Sequence, residues 1–197
     1  MSEYTGSHIG LGIVFLKDKQ ETIKKALMEL TRIYVSKEYT ITNYCNKTDE
    51  SKEYSTKDLT DECIEELIVK DYFTIKFETQ ILNEKTQILI SNNIIEKNYA
   101  IQINFHEESL LNCFNNNYSE CTKYIDNLVV SLLKKFKFEY AFCDNNAIFE
   151  ISDKNQNYSL VYIPKNQNLV VIRQSWEIDG FSERDKKLIG KFILKVN

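Results

Sequence analysis

Hydrophobic and polar positions alternate with period two over Ile9 to Leu16, placing Ile9, Leu11, Ile13 and Phe15 on one face and Gly10, Gly12, Val14 and Leu16 on the other. That pattern predicts a strand, and two glycines on one face leave room for a neighbour to pack close. The period then changes to 3.6. Ile23, Ala26, Leu27, Leu30, Ile33 and Tyr34 follow helical spacing, and Asp18 with Glu21 stands at capping-box distance before them. Tyr39 to Cys45 reads as a second strand. A helix from about Asp58 to Lys70 follows, with Leu59, Cys63, Leu67 and Ile64, Ile68 as its apolar rows, and then strands at Tyr72 to Thr79 and Thr86 to Ser91.

Tyr99 to His106 alternates again, and an Asn-rich break (Asn112, Asn115 to Asn117) separates it from a long helix running from Ser119 to about Phe136, with a stripe of Cys121, Tyr124, Ile125, Leu128 and Leu132. Short β runs crowd the remainder at Phe138 to Cys143, Ala147 to Ile151, Tyr158 to Ile163 and Leu169 to Trp176. Pro164 is expected in one of the intervening turns. Ser182 with Asp185 opens a closing helix that carries Leu188, Ile189, Phe192 and Ile193.

An offset of 98 residues superposes Ile23 on Cys121, Leu27 on Ile125, Leu30 on Leu128 and Tyr44-Cys45-Asn46 on Phe142-Cys143-Asp144. If that is a repeat, the chain holds two β-α-β halves, about 8–92 and 98–197, whose helices cross between parallel strands. The expected architecture is α+β: a mixed sheet with helices packed on it. No Pro- or Gly-rich linker marks a second domain, so residues 1–197 are expected to form one.

Composition narrows the class. The 197 residues are 43% hydrophobic and 27% charged, with 5 Gly and 1 Pro, which excludes collagen-like and broadly disordered chains. Met1 to Ser7 lacks the basic start and apolar stretch of a secretory signal, and no run approaches the roughly 18 apolar residues of a membrane span; a cytoplasmic protein is expected. Five cysteines, Cys45, Cys63, Cys113, Cys121 and Cys143, include no Cys-x-x-Cys pair and are expected to be reduced thiols.

Charge is unevenly placed. Between Lys47 and Glu66 eight acids (Asp49, Glu50, Glu53, Asp58, Asp61, Glu62, Glu65, Glu66) face three lysines, a local net charge of −5 in a chain whose total is −4. An acidic face of this kind steers a basic partner and repels phosphate; a solvated helix flank explains the same acids. Chemistry is sparse. His106-Glu107-Glu108 begins like a zincin helix but has Leu110 where the second ligand belongs, and Gly6, Gly10 and Gly12 form no phosphate loop. Cys143 or Cys45 with His8 or His106 stays open as a nucleophile pair, because such partners meet only in the fold. Lys134-Lys135-Phe136-Lys137-Phe138 interleaves bases with aromatics, yet a pI near 5.4 argues against nucleic acid. No catalytic, cofactor-binding or metal-ligating set is assigned.

Ile9-Gly10-Leu11-Gly12-Ile13-Val14-Phe15, the following helix with Leu30-Thr31 and Tyr34, and Tyr39-Thr40-Ile41-Thr42 resemble the immunity proteins of bacterial polymorphic toxin systems, Immunity protein 64 in particular. Tyr140-Ala141-Phe142-Cys143-Asp144-Asn145 and Trp176-Glu177-Ile178-Asp179-Gly180 extend the likeness. The resemblance implies a protein that binds and neutralises the catalytic domain of a cognate toxin by stoichiometric contact, without catalysis or cofactor. The eight acids above, together with Tyr54, Trp176 and Asp179, are the candidate interface residues. The alternative is a small cytoplasmic enzyme with an unrecognised Cys/His or carboxylate site.

Overall fold

The computed structural model describes residues 7–34, 38–44, 59–69, 72–82, 84–145, 158–166, 168–173 and 190–196. In chain order the elements are β1 (His8–Leu16), α1 (Gln20–Tyr34), β2 (Glu38–Tyr44), α2 (Asp61–Ile68), β3 (Tyr72–Ile81), β4 (Glu84–Ile95), β5 (Asn98–His106), α3 (Glu107–Cys113), α4 (Tyr118–Lys135), β6 (Tyr140–Asn145), β7 (Leu160–Lys165), β8 (Asn168–Arg173) and β9 (Gly190–Lys195). The strands form one nine-stranded sheet in the order β2-β3-β4-β5-β1-β6-β7-β8-β9. The α+β class is as expected.

The mixed sheet is not. All eight strand pairings are antiparallel. β1 and β2 do point the same way, as do β5 and β6, but three strands separate the first pair and β1 itself separates the second. Alternation reveals which face a strand buries and carries nothing about the direction of its neighbour. The repeat also dissolves in the topology. After α1 the chain enters the sheet at its far edge and works inward, whereas after α4 it enters beside β1 and works outward.

The core lies between the sheet and the helices. Ile9, Leu11, Ile13 and Phe15 of β1 are fully or almost fully buried there against Ile23, Leu27 and Leu30 of α1 and Ile125, Val129 and Leu132 of α4. Ile33, expected in the α1 stripe, is 41% exposed at its shoulder. On the opposite face Val14, Ala100, Tyr140 and Phe142 form a smaller cluster. There the glycine face of β1 receives its close neighbour: Gly12 is the register partner of Phe142, whose ring occupies the space a β-carbon would need.

Local hydrogen bonds at the helix starts move several expected boundaries. α1 begins at Gln20, where the Lys19 carbonyl accepts the Thr22 and Ile23 amides, so Asp18 does not cap it. α2 begins at Asp61 because Thr60 Oγ1 accepts from the Cys63 amide at 3.3 Å. α4 begins one residue early because the Asn117 side chain accepts from the Glu120 amide, also at 3.3 Å. The Asn-rich break is real but shorter than expected. α3 occupies 107–113, and only then do Asn115 and Asn116 take the left-handed backbone conformation that Asn tolerates.

Two C-terminal expectations are corrected. Pro164 sits inside β7, and Asn166, at φ 57°, makes the turn. The proline is tolerated because β6 pairs with β7 only as far as Tyr162, leaving a flank without a ladder for the missing N–H. Residues 190–195 of the expected closing helix form β9, paired along β8. Phe192 and Leu194 pack toward the core while Ile193 is exposed, a period of two that Lys-Phe-Ile-Leu-Lys fits as well as a helical turn. The expected strand at 147–151, the start of the closing helix and the last residues of the strand ending at Trp176 lie outside the described residues.

Candidate functional site

Of the acidic candidates, Asp61, Glu62, Glu65 and Glu66 share α2, and all four are exposed. Carboxylates in the first turn complement the helix dipole, so Asp61 and Glu62 also serve the helix itself. Glu62 accepts from Thr60 Oγ1 at 3.2 Å, and Glu65 forms an ion pair with Lys24 of α1 that ties the two helices together and raises the lysine pKa. Asp49, Glu50, Glu53, Tyr54, Asp58, Trp176 and Asp179 lie outside the described residues.

The histidines and Cys143 are held apart. His8 and His106 are register partners on β1 and β5, and their positions alternate away from the core residues Ile9 and Phe105. His106 Nδ1 accepts the Ser109 amide at 3.3 Å and lies 2.9 Å from Ser109 Oγ, so it caps α3. Cys143 pairs with Leu11 and is fully buried on the helix side, the other face of the sheet. The structure therefore does not unite Cys143 with either histidine; Cys45 is outside the described residues.

Burial drives the thiols toward the neutral, unreactive form. It raises Cys143 well above its ordinary pKa and pushes Cys121 up to about 12. Cys113 is raised as well, and its Sγ donates to the Ser109 carbonyl at 3.0 Å. Among the described residues no group of three or more His, Cys, Asp and Glu is placed to hold a metal ion.

The structure adds a cluster that the sequence reading missed. Asp126, on the inner face of α4, accepts from Tyr162 Oη at 2.9 Å and pairs with Arg173 at the end of β8. Both charged side chains are nearly enclosed, at 9% and 11% exposure, and the Arg173 guanidinium lies 4.7 Å from the centroid of the Phe192 ring. Burial raises the Asp126 pKa against the opposing pull of Arg173, and Arg173 Nε has no partner among the described residues. The cluster clamps α4 to β7, β8 and β9. Among the described residues its contacts are those of a fastening.

Strand directions also sort the surface charges. The C-terminal ends of β1, β2, β4, β7 and β9 and the N-terminal ends of β3, β5, β6 and β8 meet at one end of the sheet. In the turns and strand ends there, Lys17, Lys19, Lys97, Lys137, Lys165 and Lys195 are all exposed, against three exposed acids, Asp18, Glu96 and Glu139. None of these six lysines belongs to an ion pair among the described residues. The opposite end carries Glu84, Glu107, Glu108 and Asp144 against Lys85 and Lys191. Exposed apolar side chains occur at both ends: Val69 beyond α2, Tyr72 at the start of β3 and Ile193 on β9, the last 68% exposed, at the basic end, and Leu82 after β3, 64% exposed, at the other.

The described α+β body thus buries Cys113, Cys121 and Cys143 and uses His106 as a helix cap. The sequence matches the family Immunity protein 64 over residues 5–184, and the chain belongs to that family. No curated protein and no solved structure matches it. No helix among the described residues is long and apolar enough to cross a membrane.

Proposed function

We propose that this chain neutralises a cognate bacterial toxin by binding the toxin's catalytic domain stoichiometrically in the cytoplasm of the producing cell, as a single-domain protein without cofactor or catalytic activity of its own. Membership of the Immunity protein 64 family over most of the chain is the observation that carries this reading. Inhibition by contact needs only an interface of standard size, on the order of 1,600 Å² in total, with buried anchors and complementary charge. The acids of α2 and of the segment before it, with Tyr54, Trp176 and Asp179, are the proposed contacts on the acidic side, where they speed encounter with a basic patch of the toxin.

The test is coexpression with the toxin domain encoded by the neighbouring gene, followed by titration calorimetry of the purified pair. Growth rescue with one-to-one binding is the expected result. A toxin domain that kills equally well in the presence of the folded chain, and shows no heat of binding, overturns the reading.

A further inference from the structure

The six-lysine end of the sheet has no counterpart in the acidic interface so far assigned. Lys97 lies in the β4–β5 turn, Lys17 after β1, Lys137 before β6, Lys165 at the β7–β8 turn and Lys195 at the end of β9. These positions follow one another across the sheet at intervals of one or two strands. With strands about 4.8 Å apart, neighbouring lysines are roughly 5–10 Å from each other and the row from β5 to β9 spans about 24 Å. Each spacing is comparable with the Debye length of about 8–10 Å near physiological salt, so the fields of adjacent lysines add. The row matches the width of about 28 Å of a standard interface burying about 800 Å² on each partner.

We propose that this lysine rim is a second docking surface for the same toxin domain, complementary to an acidic patch on it, and that rim and α2 together fix the orientation of the complex by their opposite signs. The proposal rests on the toxin-binding reading and adds to it the place and the sign of a contact. Charge complementarity selects an acidic partner. Two observations favour a protein over a nucleic acid. Asp18, Glu96 and Glu139 stand among the lysines, about one carboxylate for every two bases, which suits discrete acidic side chains and opposes a duplex carrying a negative charge about every 1.7 Å. Val69, Tyr72 and Ile193 supply exposed apolar surface at the same end, which a protein interface buries and a phosphate backbone does not use.

The experiment measures association of the full chain with the neighbouring gene's toxin domain by surface plasmon resonance at about 50 mM and about 300 mM salt. It compares the wild type with a Lys97→Glu, Lys165→Glu, Lys195→Glu triple variant and with the matching triple Gln variant, each checked for a wild-type circular dichroism spectrum and melting temperature. The expected result is an association rate at least tenfold lower for the Glu triple at low salt, a smaller loss for the Gln triple, and convergence of all three at high salt. A Glu triple that associates at the wild-type rate while the wild type binds tightly overturns the rim and leaves the toxin reading intact. Absence of wild-type binding overturns the toxin reading itself. A wild-type gel shift of single-stranded RNA that disappears in the Glu triple, with toxin binding unchanged, reassigns the rim to nucleic acid and overturns the proposal.

Discussion

Replacing Gly12 with alanine isolates the closest packing in the sheet. A β-carbon at this position falls 2.8 Å from Phe142 Cε2 and nearer still to Cζ and Cε1, where ordinary van der Waals contact begins at about 3.4 Å. The ring cannot slide away freely, since Phe142 is fully buried and stacks on Tyr158 with centroids 4.2 Å apart and an interplanar angle of 20°. Two terms of opposite sign compete. Overpacking costs about 1–3 kcal/mol, while removing glycine from the unfolded chain returns about 0.5–1 kcal/mol. Gly12→Ala is therefore expected to destabilise by about 1–2 kcal/mol.

Phe142→Leu removes the ring at a cost of about 1–2 kcal/mol, and in that background only the entropic term of Gly12→Ala survives, so the same substitution becomes stabilising by about 0.5 kcal/mol. Urea unfolding of the four proteins, fitted with a common slope, reads the coupling directly. Additivity within about 0.5 kcal/mol, or a Gly12→Ala variant as stable as the wild type, refutes the packing argument.

Asp126→Ala strands Arg173, only 11% exposed, without its carboxylate and is expected to cost about 3–5 kcal/mol in urea unfolding, whereas Asp126→Leu combined with Arg173→Met recovers most of that loss. A single variant costing less than about 1 kcal/mol would show that the pair does not fasten α4. Cys121 tests alkaline stability. Its pKa is raised from 9.0 to about 12 by burial, so the neutral thiol supports the folded state below about pH 9 and that support is lost as pH rises toward 12. The shift of about three pH units corresponds to roughly 4 kcal/mol, so wild-type stability should fall more steeply than that of Cys121→Ala between pH 9 and 11. Parallel curves for the two proteins would contradict this assignment.

The strands and helices that alternate cleanly were legible in the sequence. β1 and β5 are buried along their length, and α1 and α4 carry stripes long enough for the 3.6 period to register. α3 was not legible: seven residues give too few turns for a period, and its cap is a histidine, outside the usual capping set. β9 was misread because Phe192-Ile193-Leu194 is a continuous apolar run that fits either period. Strand order was beyond reach altogether, since nothing local marks β2 for the far edge. Asp126 carries no signal in the chain either. It adjoins Ile125 within an ordinary amphipathic helix, and its partners Tyr162 and Arg173 lie 36 and 47 residues away.

The two kinds of charge in this protein are consequently of different origin. Asp126 and Arg173 are enclosed, paired and oriented by the core, so they serve the stability of one arrangement of α4 on the sheet. The lysines of the rim are each ordinary in sequence and form a row because β4, β1, β7 and β9 run in the same direction and finish at the same end of the sheet. Lys97, Lys165 and Lys195 are exposed at that end, so charge reversal there removes the rim and leaves the core untouched, which is why the charge-reversal variants separate binding from folding.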